Sequence, residues 1–252
     1  MPPELPIHRF ASFDGVELAW REAGEGRPVV LLHGLFSSGT MNWLKFGHAE
    51  AIAARGFRVI IADLRAHGRS AKPHDPVSYP PDVLADDGLA LVAHLGLTDY
   101  DLGGYSLGGR TVVRMLVRGA RPRRAIVAGM GLTGLTDTGP RTDHFKHILD
   151  NLGSFEKFSP EWNAEAFLKT THGDPVALRQ LLETMVDTPT EAIAAIDRPT
   201  LVLSGVDDSD NGSVEDLAAL LPSATLVRVP GGHMSAVTKP DLGEAIASFL
   251  AA

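Results

Sequence analysis

No cysteine occurs in the 252 residues, which removes disulfides, thiolate metal sites and a cysteine nucleophile at once. No apolar run approaches the roughly 20 residues that a membrane-spanning helix needs, so no membrane partner is expected. Positive charge is in deficit. The 23 Lys and Arg stand against 31 Asp and Glu, and the formal charge of −8 argues against a nucleic-acid partner. One local basic cluster, Arg118, Arg121, Arg123 and Arg124, follows a predicted helix and complements its C-terminal dipole. Met1-Pro2-Pro3-Glu4-Leu5-Pro6 lacks the basic and apolar stretches of a secretory leader, so a cytoplasmic location is expected. What is present is a hydrophobic content of 44%, enough for one sizeable core.

Short β-branched runs alternate with longer helix-like stretches. Residues 7–12 and 16–22 form an expected hairpin turned at Asp14-Gly15, and 28–32, 58–62, 100–103 and 124–128 are expected strands. Helices are expected over 42–55, 82–95 and 107–118. After Gly129 the pattern changes to three helical pieces, 142–152, 160–171 and 175–187. Strand character returns at 200–204 and 225–229, before a last helix over 241–250. Such alternation implies an α/β fold with a mostly parallel central sheet covered by helices on both faces. Residues 1–129 and 196–252 form its core, and 130–195 read as a helical insertion, a cap above the sheet.

The chemistry centres on Gly104-Tyr105-Ser106-Leu107-Gly108, a Gly-flanked serine between an expected strand and an expected helix. A serine hydroxyl needs a base, and the base needs an orienting acid. In parallel sheets functional groups gather at the carboxyl ends of strands. Gly205-Val206-Asp207-Asp208 and Pro230-Gly231-Gly232-His233 follow the two late strands, in the chain order serine, acid, histidine. His233 is therefore the expected base. The backbone N–H of Leu107 and that of Leu35, in His33-Gly34-Leu35-Phe36, are the expected oxyanion donors. His33 reads as a brace of that loop rather than a second base. His144 and His147, one helical turn apart, read as a solvated helix face, and neither metal nor cofactor is expected.

These segments, together with Asp63-Leu64-Arg65-Ala66-His67-Gly68-Arg69-Ser70, resemble the α/β-hydrolase superfamily over nearly the whole chain. The stretch from His33-Gly34-Leu35-Phe36 to Asn42-Trp43 is similar to that of small bacterial carboxylesterases. The resemblance implies an α/β-hydrolase fold, non-catalytic roles for Asp63 and His67, and an acid third after the strand-end glycine, which selects Asp208 over Asp207. The run Ser209-Asp210-Asn211-Gly212 departs from relatives in being polar and, by composition, flexible. A serine nucleophile argues against relatives that use aspartate, such as haloalkane dehalogenases and epoxide hydrolases. The expected activity is serine carboxylester hydrolysis. A C–C bond hydrolase, a cofactor-free perhydrolase and a weakly catalytic ligand receptor share the same motifs.

Substrate choice is expected to lie in the helical block, among Phe145, Leu149, Leu152, Phe155, Phe158, Trp162, Phe167, Leu168 and Met185. Phe145 and Trp162 there, with Phe36 and Tyr105 beside the donor loops, are the expected substrate contacts. The partner is expected to be a small, uncharged ester of modest size. Oligomeric state is not legible.

Overall fold

Apolar side chains alternate along the strands, and that alternation splits the interior in two. In β3 (Arg27–Leu32), Val30 and Leu32 enter one core while Val29 and Leu31 enter the other. The same division separates Ile60 from Val59 and Ile61 in β4 (Phe57–Ala62), Val127 from Ile126 in β6 (Ala125–Ala128), and Val202 from Leu201 and Leu203 in β7 (Thr200–Gly205). A strand that is apolar on both faces must be covered on both.

The computed structural model describes residues 5–252. With β1 (His8–Ala11), β2 (Glu17–Ala23), β5 (Asp101–Tyr105) and β8 (Ala224–Val229), it forms an eight-stranded sheet in the order β1-β2-β4-β3-β5-β6-β7-β8. β2 is antiparallel to both of its neighbours, and β3 to β8 are parallel. Helix α1 (His48–Ala53) lies against the terminal helix on one face, and α2 (Val83–His94) and α3 (Leu107–Val117) pack together on the other. Five helices follow β6: α4 (Thr133–Thr136), α5 (Gly139–Asp150), α6 (Pro160–Thr170), α7 (Pro175–Leu182) and α8 (Thr190–Ala194). Then come α9 (Val214–Leu220), α10 (His233–Ala236) and the terminal α11 (Pro240–Ala251). Among the described residues no helix is long and apolar enough to cross a membrane.

Several boundaries differ from those read in the sequence. The helix expected over 42–55 is a π turn at Thr40–Leu44 followed by α1, broken at Gly47, whose φ of 78° lies in the left-handed region. The third helical piece of the block stops at Leu182, where Thr184 turns its carbonyl to accept the Asp82 amide at 2.8 Å. α4, α8, α9 and α10 have four to seven residues each, too short to announce themselves by periodicity. The block has no separate core: Leu135, Leu149, Leu168, Leu178 and Leu182 belong to the same apolar cluster as Leu102 and Val202 of the sheet.

Three of the four arginines of the basic cluster are engaged within the molecule, and Arg123 is exposed. Arg118 pairs with Asp82 and Asp86, Arg121 donates to the Ala120 carbonyl at 3.0 Å, and Arg124 to that of Leu250 at 3.1 Å.

Candidate active site

Residues that follow β3 and β5 are neighbours, because Leu32 of β3 is in register with Gly104 of β5. The order of strand addition reverses between these two parallel strands, with β4 on the far side of β3 and β6 to β8 beyond β5, which is where open α/β sheets place their ligands. Ser106 stands at the end of β5 with φ 54° and ψ −115°, a conformation that a non-glycine residue holds at a cost of about 1–3 kcal/mol. The turn requires bare neighbours. A Cβ at Gly104 would lie 2.2 Å from the Gly108 carbonyl carbon, and one at Gly108 would lie 2.3 Å from the Leu32 oxygen.

His233 opens α10 and turns its Nε2 to within 3.0 Å of Ser106 Oγ. Its Nδ1 lies 2.9 Å from Asp208 Oδ2. The two side chains are 10% and 3% exposed, so bulk water does not compete for this pairing. Burial alone would raise the Asp208 pKa. The hydrogen bond and charge of His233, the Asp210 amide at 3.1 Å and the Ser204 hydroxyl at 3.3 Å outweigh it and hold the carboxyl below its ordinary value. Asp207 is exposed and makes no such contact. The polar run after Asp208 is also not loose: Asn211 is buried, donates to the Gly129 carbonyl at 2.9 Å and accepts the Gly134 amide at 2.9 Å.

Tyr105, expected beside the substrate, is buried, and its hydroxyl donates to the His233 carbonyl at 2.5 Å. It borders the cleft, but its polar end fixes the backbone that carries the imidazole.

The loop after β3 is held from below by two buried histidines. Leu64 donates its amide to His33 Nε2 at 3.0 Å, and Phe36 donates its amide to His67 Nε2 at 3.2 Å. Both Nε2 atoms therefore present lone pairs, and each Nδ1 donates to a carbonyl, of Gly34 and of Arg65. Asn42 Oδ1 takes the Gly34 amide at 3.1 Å, and Asp63 takes the amides of Gly39 and Arg69. With its neighbours' amides so engaged, the Leu35 amide is left without a partner among the described residues, as is that of Leu107 at the start of α3. Asp63 and His67 thus serve the loop, as expected.

Burial pushes His33 down to about 4 and, with the adjacent His33 ring adding to it, His67 down to about 3. The unfolded chain takes up protons on these rings below about 6.5, whereas the folded chain does not until lower pH. Stability is therefore full above pH 6.5 and falls as the pH drops through the window down to about 4, by about 2–3 kcal/mol per ring at pH 4.5. Urea unfolding at pH 7 and 4.5 should show this loss. His33→Gln, which can still accept the Leu64 amide, should be less stable at pH 7 but less sensitive to acid. Equal sensitivity of the variant would contradict the assignment.

A cleft of about 610 Å³ opens above Ser106 and His233. Phe36 and Phe145 line it, with ring centroids 5.4 Å apart, edge to face. Trp162 does not. The cleft face of α6 is Asn163, Ala164 and Phe167, and the Trp162 ring lies against exposed Phe158 instead. Leu149 and Leu168 are buried in the core, and Met185 borders a separate small cavity near Arg110. The helical block and the core both contribute to the cleft lining. The segment from the π turn to Gly47 supplies Met41 and Phe46, α10 and the residue after it supply Met234 and Val237, and α5 supplies Arg141. Met41 and Asn42, both lining the cleft, lie in the π turn that begins at Thr40.

Comparison with known proteins places this arrangement. The model of a family described by the α/β-hydrolase fold matches residues 27–164. A non-heme haloperoxidase of Rhodococcus erythropolis is 30% identical, over 86% of this chain and 89% of its own. Among solved structures, a hydrolase from Pseudomonas aeruginosa superposes with a TM-score of 0.79 at 26% identity, over 98% of both chains. A thermophilic esterase from Thermogutta terrifontis shares the fold, with a TM-score of 0.78 at 24% identity over 97% and 98%. Strand order, strand-end serine and matched sequence agree: the chain belongs to the α/β-hydrolase family.

Proposed function

We propose that the protein is a serine hydrolase that cleaves carboxylic esters through an acyl-enzyme. The observation that carries this reading is the unbroken hydrogen-bonded line from Asp208 through His233 to Ser106 at the base of an apolar cleft. Asp208 holds the Nδ1–H, which leaves the Nε2 lone pair facing the hydroxyl. As Ser106 Oγ attacks the ester carbonyl, its proton passes to Nε2, and His233 then returns it to the departing alcohol. Negative charge on the former carbonyl oxygen is met by the amides of Leu35 and Leu107, the latter at the positive end of α3. Water, deprotonated by the same imidazole, releases the acid and restores the serine. The helices from α4 to α8 act as the cap that roofs the acyl pocket, with Phe36, Phe145 and Phe167 as its apolar contacts.

The haloperoxidase relative supports a second use of the same intermediate. Hydrogen peroxide in place of water would attack the acyl carbonyl, give the peracid and release Ser106 unchanged.

A fluorophosphonate probe and a panel of short p-nitrophenyl esters test the reading. Peptide mapping should find the label on Ser106 alone, and the esters should turn over, with peracid formed when peroxide is added for the second reading. An unlabelled, folded protein inert to every ester would refute it.

A further inference from the structure

The cleft carries a charge that the chain as a whole does not. The protein has a formal charge of −8, yet Arg141 and exposed Lys45 stand at the rim of the cleft against one carboxylate, Asp210. Arg141 and Asp210 satisfy each other at 3.0 Å, and the guanidinium also covers the Phe145 ring at 5.0 Å. Lys45 has no such partner. Among the described residues no carboxylate lies within ion-pair distance of its ammonium. The ammonium rests instead 3.7 Å from Met41 Sδ and 5.5 Å from the Phe46 ring centroid, and both of those side chains line the same cleft. An ammonium laid on an apolar wall, in an otherwise acidic molecule and without a counter-ion, attracts an anion into that wall.

We propose that the natural ester carries a carboxylate away from its scissile carbonyl, and that Lys45 binds it. This rests on the serine-esterase reading and replaces the uncharged substrate expected from the sequence. Met41 and Phe46, beside Lys45, give an apolar surface for the methylene chain that would join the two ends. Arg141, already neutralised by Asp210, is the weaker of the two cations for this purpose.

The test compares 4-nitrophenyl hydrogen glutarate with 4-nitrophenyl pentanoate, two esters of similar length that differ in a terminal carboxylate. At low ionic strength kcat/KM should favour the charged ester by about tenfold, and 0.5 M salt should erase most of that preference by screening. Lys45→Met should lower the ratio of charged to neutral kcat/KM by about the same factor, and Lys45→Arg should restore it. A ratio near one in the native protein, or one that falls in Arg141→Gln but not in Lys45→Met, overturns the assignment. If neither ester is cleaved and Ser106 resists the fluorophosphonate, the hydrolase reading fails and takes this inference with it. Turnover of both esters at equal rates sinks the inference alone.

Discussion

Alanine at position 106 is expected to lower ester turnover by about 10⁵-fold or more while leaving a folded protein. Among the described residues the hydroxyl is the one group hydrogen-bonded to His233 Nε2, at 3.0 Å, so its loss leaves the imidazole with no proton to accept. Alanine keeps a Cβ, so the left-handed backbone at φ 54° stays as it is and thermal unfolding should move little. Residual rate above water would come from the Leu35 and Leu107 amides and from binding, which typically survive such a change. Progress curves with a p-nitrophenyl ester, run beside a circular-dichroism melt, measure both quantities. Turnover within tenfold of the native protein, with no contaminating esterase, would remove Ser106 from the chemistry.

Asparagine at position 208 is expected to cost about 10⁴-fold in kcat, and the reason lies in who donates to the carboxylate. Oδ2 receives the His233 Nδ1–H and the Ser204 hydroxyl, while Oδ1 receives the Asp210 amide. The Asp210 N–H can only donate, and so can the His233 Nδ1–H in the tautomer that catalysis needs, so an amide NH₂ on either side displaces one of them, although the Ser204 hydroxyl can turn to accept. Toward Asp210 it meets another N–H. Toward His233 it demands the opposite tautomer, with the proton on Nε2, where it blocks abstraction from Ser106. Asp207→Asn is the matched control, since that side chain is exposed and bonded to nothing at the site. Equal losses in both variants would move the acid's role elsewhere.

Much of this arrangement was legible in the chain because it depends on local order. Gly104 and Gly108 mark the tight turn, and runs such as Val29-Val30-Leu31-Leu32, short and β-branched, read as doubly covered strands. The spacing after Gly205 pointed to Asp208 through family resemblance, and the structure puts that residue, rather than Asp207, against the imidazole. What was not legible depends on rotation and tertiary approach. Trp162 and Phe167 sit on one helix and are equally apolar. Only the seating of α6 decides that Phe167 faces the cleft and Trp162 faces Phe158. Gly47 was read as part of a helix because nothing local distinguishes a tolerated glycine from a break. Tyr105 borders the cleft, but no sequence signal reveals that its hydroxyl finds the carbonyl of a residue 128 positions away. Asn42 had a signal in its motif, but its acceptance of the Gly34 amide needed coordinates.

The continuous apolar cluster beneath the five helices bears on how such a protein can change over generations. Leu135, Leu178 and Leu182 are floor as well as roof, since they complete the same packing as Leu102 and Val202. Exchanging the block wholesale for that of a relative would leave mismatched surfaces where interior density tolerates little vacancy. Exposed Lys45, and Phe46 and Arg141, line the cleft outside that packing, so substitutions there can reshape it while the buried leucines stay put.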